Sequence, residues 1–218
     1  KLPRGYILYI LSTGDNIMAK VYKTRIKKSA VKSMSQKPLR DQAYKIVKQR
    51  IEEAKRKTLA IFEKHPVTSE LESGPRGENI SGTLGGYGNL FSYIGFSSGA
   101  SPIEPLRTYL NRKPRVYKNS KFVKKSNSAE FVFRIEIPSF SEMEVLAQSP
   151  FEGRSWLRGL ERGISGLGYY LHSKTGQLAG SRSGFGLQTE NRLRAMTFKP
   201  ITYMTNILKE FRREANLG

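Results

Sequence analysis

The segment ENISGTLGGYGNLFSYIGFSSGASPIEP, residues 78 to 105, combines closely spaced glycines with a run of large apolar side chains. The glycines allow positive φ angles and the close approach of another backbone, which residues with side chains resist. Residues 90 to 96, LFSYIGF, carry apolar side chains at both odd and even positions, so an extended chain here is apolar on both faces. We therefore predict a strand at 90 to 96 that is central in a sheet or packs against a neighbouring chain.

The same segment is the predicted contact with another subunit, since permissive backbone and large rings favour close association. The residues assigned to this contact are Gly82, Gly85, Gly86, Tyr87, Phe91 and Tyr93. A Walker-type phosphate loop is not indicated, because no Gly-Lys-Ser or Gly-Lys-Thr follows the glycines. A dinucleotide-binding loop is not indicated either, because such a loop opens a helix and this one is expected to lead into a strand.

The chain of 218 residues has 38 Lys and Arg against 18 Asp and Glu, a formal net charge of +20. Such an excess predicts a polyanion or an acidic protein surface as the partner, without deciding between them. The absence of cysteine excludes a disulfide framework and thiolate chemistry. His65 lies between Lys64 and Pro66 at a predicted helix end, where we expect a structural role, and His172 has no Cys, Asp or Glu near it in sequence, so we expect no metal site.

The sequence contains no local catalytic motif, because no nucleophile, base and acid occur together at a recognisable spacing. Residues distant in sequence could still converge in space. We expect a protein that is not an enzyme and holds no cofactor. The longest apolar run, Tyr6 to Leu11, is far shorter than the ~20 residues of a membrane helix, so no membrane is expected as a partner.

The N-terminal region is predicted to form a hairpin and then a basic arm. Two β-favouring segments, Tyr6 to Leu11 and Ile17 to Arg25, flank the turn residues 13 to 16. From Lys20 to Lys37 the chain is basic without an acid and has no sustained amphipathic period. One interpretation is that this arm becomes ordered when it binds a phosphate backbone or an acidic subunit. The alternative is a solvated linker. Its predicted binding residues are Lys23, Arg25, Lys27 and Lys28.

A second basic segment, Arg112 to Lys125, contains seven cations and no acid, interleaved with Tyr117 and Phe122. This pattern suits a nucleic-acid backbone, with bases stacked on the rings. It equally suits a hairpin whose lysines face solvent or an acidic neighbour. The residues assigned to partner or nucleic-acid binding are Arg112, Lys113, Arg115, Lys118, Lys121, Lys124 and Lys125.

Two further elements define the predicted fold. Apolar residues recur at three- and four-residue steps from Leu39 to Phe62, which predicts a long amphipathic helix. Glu130 to Ile137 alternates apolar and polar residues and predicts a half-buried strand. The expected fold class is α+β, a mostly antiparallel sheet covered by one long amphipathic helix, with an extended basic arm and loops. Residues 1–37 form the hairpin and arm, and 38–218 a single domain with an inserted glycine-rich helix and loop region around 140–190.

Three features resemble a known family. A long basic amphipathic helix precedes Ser81-Gly82-Thr83-Leu84, and Phe198-Lys199-Pro200-Ile201-Thr202-Tyr203-Met204 enters a terminal helix. This order is similar to the tail-completion and head-to-tail connector (neck) proteins of tailed bacteriophages, in which a hydroxyl-Gly-x-Leu segment feeds a strand and an aromatic-x-Pro element precedes the last helix. The basic residue common after the first motif is replaced here by Gly85-Gly86.

The resemblance implies a virion structural protein at the head-to-tail junction or tail end, assembling as a homo-oligomeric ring. Its implied partners are other neck or tail proteins and packaged DNA, and its implied location is the virion, after assembly in the host cytoplasm. The alternative from the residues alone is a free nucleic-acid-binding protein that uses the same basic segments.

Overall fold

The computed structural model describes residues 7–11, 19–27, 36–84, 89–124, 128–150, 154–162 and 199–217. Helices and an antiparallel sheet make up this part of the chain, which confirms the α+β class. The strands are β1 Ile7–Leu11, β2 Ala19–Lys27, β3 Arg115–Lys124 and β4 Ser128–Glu136. The helices are α1 Gln36–Glu63, α2 Pro66–Glu72, α3 Leu90–Ile94, α4 Glu104–Arg112, α5 Phe140–Leu146, α6 Trp156–Arg162 and α7 Met204–Glu214.

The chain divides into two compact units. The first comprises residues 1–58, 110–139 and 209–218, and the second comprises 59–109 and 140–208. Three of the four crossings between the units fall inside helices, within α1, α4 and α7, and the fourth falls between β4 and α5. The boundary predicted after residue 37 is not among these crossings. None of the helices in the described ranges combines the length and the apolar character needed to cross a membrane.

The first unit contains the sheet, in which all neighbours are antiparallel and the strand order is β1-β2-β4-β3. β1 and β2 pair from Ile7↔Arg25 to Leu11↔Val21, as the predicted hairpin requires. The predicted hairpin strand and the predicted basic arm overlap at residues 20–25, and the structure shows a strand there: β2 runs to Lys27 and pairs with β1 on one side and with β4 on the other. Residues 28–35 of the predicted arm lie outside the described residues. The β-favouring residues Val21, Tyr22 and Ile26 interrupt the cations, and two-sided pairing satisfies the backbone.

The core of this unit lies on one face of β4. Phe131, Phe133 and Ile135 are buried, while Arg134 between them is exposed, which confirms the predicted alternation. They belong to one hydrophobic cluster with residues of α1 and of the C-terminal segment. Those residues are Leu39, Ala43, Val47, Ile51, Ala54, Phe211, Ala215 and Leu217.

The second unit contains α3, and here the prediction of a strand at 90–96 is wrong. Asn89 caps the helix by accepting the Ser92 N–H, and Gly95 ends it with a left-handed φ of 86°. Leu90, Phe91 and Ile94 are buried, so the apolar residues have the spacing of a helix with one buried face. Apolar side chains at both odd and even positions are compatible with a short buried helix as well as with a buried strand. The capping residues Asn89 and Gly95 favour the helix.

The region around 140–190, predicted to hold an inserted glycine-rich helix and loop, contains α5 and α6, and its residues 163–190 lie outside the described residues. Trp156, the only tryptophan of the chain, is buried, and its ring meets that of Phe96 edge-on at a centroid distance of 6.3 Å. Trp156 is therefore a natural fluorescence probe for unfolding of the second unit.

Candidate functional site

The two predicted basic segments lie on strands that flank the same neighbour. β4 pairs with β2 on one side and with β3 on the other, so Lys23 and Lys121 are both register partners of Val132. Neighbouring strands are about 4.8 Å apart, which places these two Cα positions about 10 Å from each other. Residues that are far apart in sequence thus form one basic region, which we call the basic sheet: β2, β3 and β4.

Most of the predicted binding residues lie on this basic sheet. Lys23, Arg25 and Lys27 are in β2, and Arg115, Lys118, Lys121 and Lys124 are in β3. Arg112 is the last residue of α4, and Lys113 lies between α4 and β3. Lys28 and Lys125 are outside the described residues.

Arg134, exposed on β4, is a candidate binding residue that the sequence pattern alone did not indicate. The Arg134 guanidinium carbon lies 5.3 Å from the centroid of the Tyr117 ring, a cation–π contact between β4 and β3. The Tyr117 hydroxyl donates a hydrogen bond of 2.6 Å to Glu136, and this bond raises the pKa of Tyr117. The register of β3 shifts between Val116 and Ser120, an irregularity that re-aims the side chains within it.

Acidic residues neutralise the basic sheet only in part. Lys118 lies 3.7 Å from an oxygen of Asp41, a long and exposed ion pair of little energy. Within the described ranges, neither Lys121 nor Arg134 forms an ion pair. The exposed cations Lys121 and Arg134 attract anions, although β4 also carries the carboxylates Glu130 and Glu136.

The loop that precedes α3 is organised by a buried carboxylate. Glu70 is fully buried, yet its three hydrogen-bond donors are neutral. Its Oε1 accepts the N–H of Leu90 at 2.6 Å and the Asn79 amide at 3.2 Å, and its Oε2 accepts the N–H of Ser81 at 3.0 Å. Glu70 thus joins both ends of the glycine-rich loop to α2.

Asn89 holds the same loop from the other side. Its Oδ1 accepts the Ser92 N–H at 2.8 Å, while its amide donates to the carbonyls of Gly77 at 2.8 Å and Pro75 at 2.9 Å. Glu70 and Asn89 therefore accept two of the N–H groups at the start of α3, those of Leu90 and Ser92.

The residues predicted for subunit contact lie in and around this loop. Gly82 has a φ of 68°, which favours glycine, and Gly85, Gly86 and Tyr87 are outside the described residues. Phe91 is buried beside Phe96, with ring centroids 5.4 Å apart, so its side chain is already part of its own unit's core. Tyr93 is half-buried, which raises its pKa. The subunit contact itself stays a prediction.

The two motifs that carry the phage resemblance are hydrogen-bonded to each other. The Lys199 N–H donates to the Thr83 carbonyl at 2.9 Å, and Pro200 is followed by α7, which begins at Met204. The strand expected after Leu84 is contradicted by α3, which is a helix. The resemblance itself stays a prediction.

An acidic cluster surrounds Arg107 in the second unit. Its guanidinium donates to Glu63 at 2.7 and 2.8 Å and to Glu104 at 2.6 Å, and it also contacts Glu72. These bonds, led by that to Glu63, raise the pKa of Arg107, while Arg107 lowers the pKa of Glu63. A cavity of about 190 Å³ adjoins the cluster and is lined by residues 100–104 together with Leu71, Glu72 and Arg107.

His65 serves a structural role at the start of α2. Its Nδ1 accepts the Val67 N–H at 3.2 Å and caps the helix, and burial lowers its pKa, which favours the neutral ring needed for acceptance. In the described part of the chain, no three or more His, Asp or Glu side chains are grouped so that they could hold a metal ion.

Comparison of the chain with protein-family profiles, with curated protein sequences and with solved structures finds no match.

Proposed function

We propose that this chain is a structural protein of a tailed-phage virion, located at the head-to-tail junction or at the tail end. It assembles as a homo-oligomeric ring and acts by binding instead of catalysis. The proposal is supported by the two resemblance motifs, which meet in the hydrogen bond between Lys199 and Thr83. In this proposal the long helix α1 covers a mostly antiparallel sheet, and the glycine-rich loop meets the neighbouring subunit.

The observation that carries the binding role is the basic sheet. The register brings cations of β2 and β3 to the two sides of β4, and the chain has a net charge of +20. Acidic surfaces of other neck or tail proteins and packaged DNA are the proposed partners, since both present dense negative charge.

Mass measurement of the purified chain, free of nucleic acid, tests the ring. We expect one discrete oligomer that persists at high salt, because the residues assigned to the subunit contact carry no charge that salt could screen. A monomer at every protein concentration, in low and in high salt, would overturn the ring.

A second candidate function is a free nucleic-acid-binding protein, favoured by the pairing of Tyr117 with Arg134 on the basic sheet. A monomer whose affinity for nucleic acid falls steeply with added salt would support this candidate over the virion protein.

A further inference from the structure

We propose that the exposed face of β3 and β4 binds single-stranded nucleic acid, with one base stacked on the guanidinium of Arg134. The inference rests on the proposed binding of polyanions by the basic sheet and names the class of polyanion that this surface fits.

The stacking surface is held in place before any ligand arrives. Glu136 accepts the hydroxyl of Tyr117 at 2.6 Å, and the Tyr117 ring lies 5.3 Å from the guanidinium carbon of Arg134. The Arg134 side chain is exposed, so a base has access to it. The ring contact already orders the planar guanidinium. The protein therefore loses less side-chain entropy when a base stacks on it.

The neighbours of Arg134 supply both apolar contact and positive charge. Val123 is 40% exposed and Val132 is half-buried, while Lys121, the register partner of Val132, is exposed. Arg115 is exposed at the other end of β3. Planar and apolar groups among cations are the combination that binds single strands, with bases on the former and phosphates on the latter.

Other polyanions would use only part of this surface. A DNA duplex stacks its bases internally and offers mainly phosphates to a flat surface, and an acidic protein requires cations alone. Neither gains from the pairing of Tyr117 with Arg134. The single strand is therefore the partner that uses the charges, the valines and the ordered guanidinium together.

The test measures binding of the full chain to fluorescent oligothymidylate, to the same strand paired with oligoadenylate, and to polyglutamate, each across a salt series. We expect the single strand to bind most tightly. Arg134→Lys keeps the charge but loses the planar stacking group, so single-strand affinity should fall about ten-fold with an unchanged salt slope. Lys121→Gln is the matched charge variant and should reduce the slope by about 0.7.

Two Tyr117 variants examine how the guanidinium is positioned. Tyr117→Phe keeps the ring and loses only the hydroxyl bond to Glu136, so we expect a loss of about two-fold, whereas Tyr117→Ala should approach the loss in Arg134→Lys. Duplex affinity should change little in either variant. The unfolding midpoint of each variant identifies a loss of affinity that comes from unfolding.

Each result has a distinct meaning. Equal affinity for single strand and duplex, or an Arg134→Lys variant that binds as the wild type does, overturns this inference and leaves the proposed virion role intact. Tighter binding of polyglutamate than of either nucleic acid also overturns it and identifies an acidic protein as the partner. If none of the three polyanions binds, the proposed function of the basic sheet fails as well.

Discussion

The carboxylate of Glu70 accepts the backbone N–H of Leu90 at an N···O distance of 2.6 Å, across 20 residues of chain. Because the carboxylate also accepts from Ser81 and Asn79, Glu70→Ala leaves three donors without this acceptor. We expect the free energy of unfolding to fall by about 3 kcal/mol or more, as measured by urea unfolding followed through Trp156 fluorescence.

Glu70→Gln is the matched variant of the same size. Its amide nitrogen would face a donor where a carboxylate oxygen now accepts, so we expect a loss of about 2 kcal/mol. Glu78→Gln, an exposed change in the same loop, should stay within about 0.5 kcal/mol of the wild type. A Glu70→Gln protein as stable as the wild type would show that these hydrogen bonds do not stabilise the loop.

Substitution of Asn89 distinguishes the contribution of its side-chain oxygen, which accepts a hydrogen bond, from that of its amide group, which donates. Asn89→Asp retains an oxygen for the Ser92 N–H but places a carboxylate against the carbonyls of Pro75 and Gly77. We expect a loss of about 2 kcal/mol at neutral pH. Protonation restores a donor, so the difference from wild type should shrink as the pH falls to about 4, near the ordinary pKa of Asp. A difference that is constant with pH would contradict this account of the amide.

The burial of Tyr203 predicts that the free energy of unfolding falls at alkaline pH. Its side chain is fully buried, its hydroxyl lies 2.6 Å from that of Thr68, and burial raises its pKa above the ordinary value of 10.0. The folded state therefore binds the phenolic proton more tightly than the unfolded state. Stability is retained below pH 10 and falls above it by up to about 1.4 kcal/mol per pH unit. Urea unfolding across this range measures the slope.

Tyr203→Phe is the control for that slope. It should lower the free energy of unfolding by about 1 kcal/mol at neutral pH, because the Thr68 hydroxyl loses its partner, and it should weaken the alkaline dependence. Adding Thr68→Val removes the remaining hydroxyl and should recover part of the neutral-pH loss. An unchanged alkaline slope in Tyr203→Phe would assign the effect to other groups.

The contact between Arg107 and Glu63 predicts that the free energy of unfolding falls at acid pH. Its hydrogen bond lowers the pKa of Glu63 below the ordinary 4.5, so this carboxylate adds stability above pH 4.5 that is lost as the pH falls through the folded value. These ion pairs are partly exposed, so Arg107→Met should lower stability at neutral pH by about 1 kcal/mol and remove this part of the acid dependence. Arg107→Lys keeps the charge but lacks the two-pronged contact with Glu63, and should lose about 0.5 kcal/mol. Parallel pH profiles in Arg107→Met and the wild type would contradict the assignment.

The elements predicted correctly are those whose signal is local. The alternation through Phe131, Phe133 and Ile135 identified β4, because one face of a strand is buried at every second residue. The misread element, α3, is only five residues long, too short for its apolar spacing to distinguish a helix from a strand. The caps Asn89 and Gly95 carried the missing information, and their local chemistry could have been recognised from sequence.

The amino-acid sequence by itself determined the α+β class, the strong positive charge and the two basic segments, since composition and short-range periodicity are properties of neighbouring residues. Only the tertiary structure decided that these segments flank β4, that Tyr117 meets Arg134, and that Glu70 receives the N–H of Leu90. The reason is physical: strand register, burial and contacts between distant residues follow from how the whole chain packs, and no local pattern encodes them.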